Sequence, residues 1–158
     1  LGQGDDIYAN RLLEHQKKFP HRFALRLEMS PASVHKLAAG ADMFLIPSLS
    51  EPCGLNQLYG FRYGTVPIVR ATGGLKETVK PFNRKTQKGN GFVFKEYSAS
   101  SLLSAVKEAV DCYKKPALWE RIVNEGIKER FSWEEAARKY VRLYRSALKK
   151  RTGGENHG

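Results

Sequence analysis

The stretch Met43-Phe44-Leu45-Ile46-Pro47-Ser48-Leu49-Ser50-Glu51-Pro52-Cys53-Gly54-Leu55-Asn56 carries the first decision about the fold. Four consecutive apolar residues, 43–46, suit a short strand buried on both faces, as strands of parallel sheets are. Pro47 ends it, and 47–54 reads as a loop. A helix is expected from about Leu55 to Tyr63. Gly64 closes it, because glycine takes the left-handed conformation that commonly ends a helix. The same grammar then repeats. Val66-Pro67-Ile68-Val69 is a second short buried strand, Ala71-Thr72-Gly73-Gly74 is a turn into a short helix through Val79, and Phe92-Val93-Phe94 is a third strand. Strands alternating with helices predict an α/β chain, with a Rossmann-like parallel sheet carrying helices on both faces. Ligands of such sheets bind beyond the carboxyl ends of the strands. Two of those ends carry glycine-containing polar turns, 48–56 and 71–74.

Working outward, residues 5–18 read as a helix whose positive N-terminal end is matched by Asp5 and Asp6. Pro20 stops it. Phe23, Leu25 and Leu27 alternate, which predicts a strand over 22–28. Ser30-Pro31 opens a helix that ends near Gly40. Residues 80–90 are polar and basic, with Asn83, Gly89 and Asn90, and read as a mobile loop. Leu102, Leu103, Val106, Ala109, Val110 and Tyr113 mark one face of a helix, and Pro116 begins another through about Arg130. Ser132-Trp133-Glu134-Glu135 has the form of a capping box. The long helix behind it is lined by Trp133, Ala136, Ala137, Tyr140, Val141, Tyr144, Ala147 and Leu148. The polar, glycine-rich residues from Thr152 are expected to fray.

Composition narrows the class. The 158 residues carry 27 Lys and Arg against 16 Asp and Glu, a formal charge of +11. At 41% apolar content the chain is globular in make-up and has the length of one domain. No apolar run approaches the about 20 residues of a membrane span. The opening Leu1-Gly2-Gln3-Gly4-Asp5-Asp6 has neither a basic nor an apolar leader region, and a start on Leu reads as cut from something longer. The basic residues gather in the last helix and around Lys80, Arg84, Lys85 and Lys88. No strand sets stacked aromatics beside them, so solvated faces with a general attraction for anions are favoured over nucleic-acid binding. Two distant cysteines, Cys53 and Cys112, make neither a disulfide framework nor a zinc site and suit a reducing cytoplasm. No metal, cofactor, nucleic-acid or membrane partner is expected.

The turn Glu51-Pro52-Cys53-Gly54-Leu55-Asn56 lies between a strand and a helix start. The first N–H groups of a helix have no internal partner, and its dipole favours anions. Gly54 lets a ligand come close, and Glu51 can accept hydrogen bonds from sugar hydroxyls. An ordinary strand–helix connection with a surface glutamate is the plain alternative. Thr72-Gly73-Gly74 follows the same logic more weakly.

Taken together, the motifs are more specific. Ala41-Asp42 through Ser48, Glu51-Pro52-Cys53-Gly54-Leu55-Asn56-Gln57-Leu58-Tyr59, Arg62-Tyr63-Gly64-Thr65-Val66-Pro67-Ile68-Val69-Arg70 and Thr72-Gly73-Gly74-Leu75 closely resemble the C-terminal domain of bacterial glycogen synthases and plant starch synthases, retaining glucosyltransferases of the GT-B class. The likeness continues through Gly91-Phe92-Val93-Phe94 and Phe131-Ser132-Trp133. Tyr59 favours this family, because related sugar transferases place a second glutamate there.

The resemblance implies two Rossmann-like domains closing over a cleft, with ADP-glucose held mainly by the C-terminal one. Glucose passes, with retention, to the 4-hydroxyl at the non-reducing end of an α-1,4-glucan. The residue matching Glu51, taken as catalytic, stands at the donor hydroxyls. Backbone N–H groups matching Cys53 and Gly54 approach the same sugar, and those matching Leu55 and Asn56 face the diphosphate. Tyr59, Thr72, Gly73 and Gly74 complete the substrate-binding set, the two glycines keeping the strand mouth open. Cys53 is a close-fitting loop residue rather than a nucleophile, since no base is visible beside it. The family's phosphate-binding Arg and Lys, its catalytic His and a glycine-rich loop belong to segments outside this chain. Arg62, Arg70 and Lys76 read as surface charge. Met29 stands where many members have the Tyr that meets adenine, which leaves ADP- and UDP-glucose both open as donors.

On this reading residues 1–131 are an incomplete Rossmann-like nucleotide-sugar-binding domain whose first two strands are missing. Residues 132–151 are a helix packing back toward the partner N-terminal domain, and 152–158 are a flexible tail. Strand 22–28 is third and strand 43–46 fourth in the order 3-2-1-4-5-6, so the isolated chain is expected to be inactive and marginally stable. Rival readings are another GT-B transferase using a UDP- or GDP-sugar, a non-catalytic nucleotide- or glucan-binding fragment and, last, a nucleic-acid binder.

Overall fold

A computed structural model describes residues 5–153. In chain order it contains α1 (Asp6–Lys18), α2 (Pro31–Gly40), β1 (Met43–Ile46), α3 (Asn56–Tyr63), β2 (Val66–Arg70), α4 (Gly73–Thr78), β3 (Phe92–Phe94), α5 (Ala99–Tyr113), α6 (Pro116–Lys128) and α7 (Trp133–Gly153). The chain divides at Ile127/Lys128 into two units. The first holds the sheet. The second holds α7, on which Trp133 is 86% exposed and Tyr140, Val141, Tyr144 and Leu148 are also exposed. Of the expected tail, Thr152 and Gly153 extend α7. Residues 154–158, like 1–4, lie outside the described residues.

The sheet is parallel and runs β1-β2-β3. Met43 to Ile46 pair with Val66 to Val69, and Ile68 to Arg70 pair with Phe92 to Phe94. Side chains alternate across β2 and β3 and so build two cores. On one face Val66, Ile68, Phe92 and Phe94 pack with Phe82 and with Ala105, Ala109, Cys112 and Ile122 of α5 and α6. On the other, Val69 packs with Phe61 of α3, Leu75 of α4 and Val79. Helices therefore cover both faces, the Rossmann-like arrangement expected of GT-B glycosyltransferases. Burying a side chain such as Phe92 or Ile122 contributes about 1.5–3 kcal/mol.

The local signals behind the helices are present. Asp5 accepts from the Ile7 N–H at 2.9 Å. Ser30 and Ser33 form a reciprocal capping box at the start of α2. Gly64 ends α3 with φ +81.

Three expectations change. Residues 22–28 form no strand. The alternation survives, with Phe23 and Leu25 half-buried between exposed neighbours, but no strand pairs with the segment among the described residues. Its Leu25 N–H donates instead to Gln16 Oε1 at 3.0 Å. Alternation specifies which side can be buried, while a strand also needs a ladder partner. Second, β1 is not buried on both faces: Leu45 is 49% exposed, because β2 alone flanks this strand and its outer edge has no described partner. Third, the 80–90 loop is anchored. Phe82 and Asn90 are buried. Asn90 accepts from the Lys80 N–H at 2.7 Å and donates to the Thr78 carbonyl at 3.2 Å. Asn83 Oδ1 accepts from the N–H groups of Lys85 and Thr86 at the tip.

Candidate functional site

At the carboxyl ends of β1 and β2 the turns 51–54 and 72–74 lie directly against each other. The Gly74 N–H donates to the carbonyls of Glu51 at 3.3 Å and Pro52 at 3.2 Å. A Cβ on Gly74 would overlap the Cys53 carbonyl oxygen, and one on Gly73, whose φ is +43, would overlap that of Glu51. These glycines therefore let two backbones touch, a different task from the open strand mouth expected of them. Thr72 precedes α4, and its carbonyl accepts from Leu75 and Lys76.

Two side chains hold this assembly. Gln57, in the first turn of α3, is fully buried. Its Nε2 donates to the Gly54 carbonyl at 3.0 Å, the Cys53 carbonyl at 3.4 Å and Thr78 Oγ1 at 3.2 Å. Thr78 Oγ1 donates onward to the Gly74 carbonyl at 2.7 Å. Gly54 has φ +71, and the Gln57 amide occupies the place a Cβ would take, its Oε1 at 2.6 Å. Arg70, the last residue of β2, secures the start of the loop. Its Nε donates to the Ser48 carbonyl at 2.8 Å and its Nη2 to that of Leu49. The guanidinium also lies 5.6 Å from the Tyr97 ring centroid. Arg70 is thus a loop clamp and not the surface charge expected from sequence.

Glu51 is half-buried and accepts from Ser48 Oγ at 3.4 Å. Helix α3 begins with no side-chain cap hydrogen bond at Leu55, so no cap side chain satisfies its first N–H groups, which lack intrahelical acceptors. Leu55 is 58% exposed, and Cys53 is an exposed free thiol. Asn56 shares a cavity of about 310 Å³ with Met29, Val34, Leu37 and residues 43–46. Glu51 to Asn56 and Thr72 to Gly74 are thereby brought together, and Met29 joins them through the Asn56 cavity. Tyr59 points elsewhere: its ring packs on His35 of α2, centroids 4.5 Å apart, and His35 Nδ1 lies 3.2 Å from the Tyr63 hydroxyl.

The family model "Glycosyl transferases group 1" matches residues 2–139. The chain belongs to this glycosyl transferase family. It is 47% identical to the glycogen synthase of Koribacter versatilis over 147 residues, 93% of this chain and 30% of that protein. With the glycogen synthase of Thermosipho africanus it shares 44% over 152 residues, 96% of this chain and 31% of that protein. The chain therefore spans about three-tenths of the length of the curated relatives it matches. Among solved structures, the catalytic domain of starch synthase IV from Arabidopsis thaliana, bound to ADP and acarbose, matches with a TM-score of 0.79 and 32% identity. That match covers 94% of this chain and 31% of that one. Sucrose-phosphate synthase from Thermosynechococcus elongatus, at 22% identity and TM-score 0.64, shares the fold.

In this glycosyl transferase chain, sequence reasoning missed Gln57, Thr78 and Arg70. Gln57 and Thr78 stand where an amide and a hydroxyl are unremarkable on a helix. Arg70 had one usable signal, its place at the end of an otherwise apolar strand beside the turn. Among the described residues no group of three or more His, Cys, Asp or Glu is placed to hold a metal ion. None of the described helices is long and apolar enough to cross a membrane.

Proposed function

We propose that this chain is the donor-binding part of a retaining glycogen or starch synthase, taking ADP-glucose and serving transfer of glucose to the non-reducing end of an α-1,4-glucan. The observation that carries this is the joined pair of strand-end turns, with Glu51 at one side and the uncapped start of α3 at the other. Glu51 accepts hydrogen bonds from glucose hydroxyls, while the N–H groups of Cys53 and Gly54 approach the sugar. The N–H groups of Leu55 and Asn56 face the diphosphate. Charge grows on that diphosphate as the glycosidic bond breaks, so these donors bind the transition state more strongly than the ground state. Thr72, Gly73 and Gly74 fix the turn. Met29 offers the base an apolar, polarisable face across the Asn56 cavity, and Tyr59 acts through α3 rather than on the donor directly. The 47% identity to a glycogen synthase and the likeness to a starch synthase bound to ADP support ADP-glucose over UDP-glucose.

The cleft is completed by the N-terminal domain of the same enzyme, and α7 is the helix that packs toward it. The isolated chain then binds donor without transferring glucose. Free Cys53 and Cys112 suit a reducing cytoplasm. The test is glucose transfer to glycogen by the full-length protein from ADP-, UDP- and GDP-glucose in parallel. Preference for ADP-glucose is expected, and no transfer from any of the three overturns the proposal.

A further inference from the structure

We propose that Gln57 is a positioning residue: its buried amide turns the Cys53 and Gly54 carbonyls inward and thereby aims the Gly54 and Leu55 N–H groups at the donor. The inference rests on the donor-site reading above. In a planar trans peptide the carbonyl and the N–H of one unit point in opposite directions. Gln57 Nε2 holds the carbonyls of both units, 53–54 and 54–55. Their N–H groups, on Gly54 and Leu55, therefore point away from the protein interior, and neither meets an acceptor among the described residues. Thr78 extends the strut to the second turn through the Gly74 carbonyl, so one amide sets the orientation of both.

A space-filling role does not account for the residue. Gln57 Oε1 is buried with no hydrogen-bond partner. An apolar side chain of similar volume would avoid that desolvation penalty but could not donate to the two carbonyls. The donor nitrogen is the half of the amide in use.

The test compares Gln57→Met, Thr78→Val and Thr78→Ser with the wild type in the full-length protein. Donor and glucan-acceptor kinetics are measured separately, and crystal structures of the Gln57→Met and Thr78→Val proteins are determined. Gln57→Met is expected to lower kcat/KM for ADP-glucose about 10- to 100-fold, below the roughly 10²–10³-fold cost of removing one such donor outright, because the N–H groups are misaimed and not deleted. Acceptor KM stays within about twofold, since no acceptor contact is touched. Thr78→Val follows in the same direction, and Thr78→Ser, which keeps the hydroxyl, restores what it loses. The inference is overturned if Gln57→Met leaves donor kcat/KM within twofold of wild type, or if acceptor KM changes by more than about twofold. Should Gln57→Met fail to fold, the Thr78 pair decides in the same way. A wild-type protein that transfers no glucose refutes the donor reading instead. The crystal structures then decide the positioning claim alone: flipped 53–54 or 54–55 peptides uphold it, and unchanged peptides in both variants overturn it.

Discussion

Replacing Gly74 by alanine strikes the contact on which the joined turns depend. A Cβ at this position stands 2.6 Å from the Cys53 carbonyl carbon and 2.8 Å from its Cα, besides overlapping the carbonyl oxygen. Ordinary Cβ contacts begin at 3.4 Å, so clearing the carbonyl carbon alone takes about 0.8 Å (3.4 − 2.6), and the nearer carbonyl oxygen requires the Cys53 turn to withdraw further still. Everything crowded is backbone, so no side chain can rotate away. Overpacking of this kind costs roughly 1–3 kcal/mol, and the Gly74 N–H bonds to Glu51 and Pro52 weaken with it. A displacement near 1 Å at reacting groups lowers rate about 100-fold. Gly74→Ala in the full-length protein is therefore expected to lose about 1–3 kcal/mol in urea denaturation and about two decades of kcat/KM for the donor. Gly40→Ala is the control. Its Cβ meets nothing within 4 Å and its φ is not left-handed, so it is expected to be neutral or slightly stabilising. If Gly74→Ala matches Gly40→Ala in both measurements, the joined-turn account is wrong.

Other outcomes follow from the same structure. Arg70→Ala leaves the Ser48 and Leu49 carbonyls without their donor, and about a tenfold fall in donor kcat/KM is expected, with Arg70→Lys recovering only part because a lysine lacks the planar fork. Ile122→Ala empties a fully buried site between α6 and the sheet, and should cost about 2–5 kcal/mol in denaturation with donor KM unchanged. Burial pushes the Cys112 thiol above its ordinary pKa, so it stays protonated in the fold. A thiol reagent at pH 8 should modify exposed Cys53 quickly and Cys112 only on unfolding, and rapid modification of both in native protein would contradict the described core. With no strand paired to the outer edge of β1 among the described residues and Leu45 exposed, the isolated 158-residue chain is expected to be marginal. A sharp, reversible thermal transition of that chain would show otherwise.

How much of this could be read from sequence depended on whether the cause was local. The apolar runs 43–46, 66–69 and 92–94 sit where the strands form, and Gly64 ends α3 as its conformational freedom predicts. The turn 51–56 was equally legible, since Pro52, Gly54 and a following helix are neighbours in the chain. Residues 22–28 were misread because a strand requires a partner, which alternation does not supply. The polar run 80–90 hid its anchors, although Phe82 was an aromatic signal within it. Gln57 and Arg70 escaped notice because their partners are distant in sequence: Thr78 lies 21 residues from Gln57, and the Ser48 carbonyl 22 residues from Arg70. Gly73 and Gly74 carry a local turn signal, but the Glu51 and Cys53 backbone they face is distant in sequence.

On this reading the two turns form one donor site. Its most direct test is a crystal structure of the full-length protein with ADP-glucose. Glucose hydroxyls are expected within hydrogen-bond distance of Glu51, and diphosphate oxygens over the N–H groups at the start of α3. A donor bound with its glucose and diphosphate away from Glu51 and residues 53–56 would contradict it.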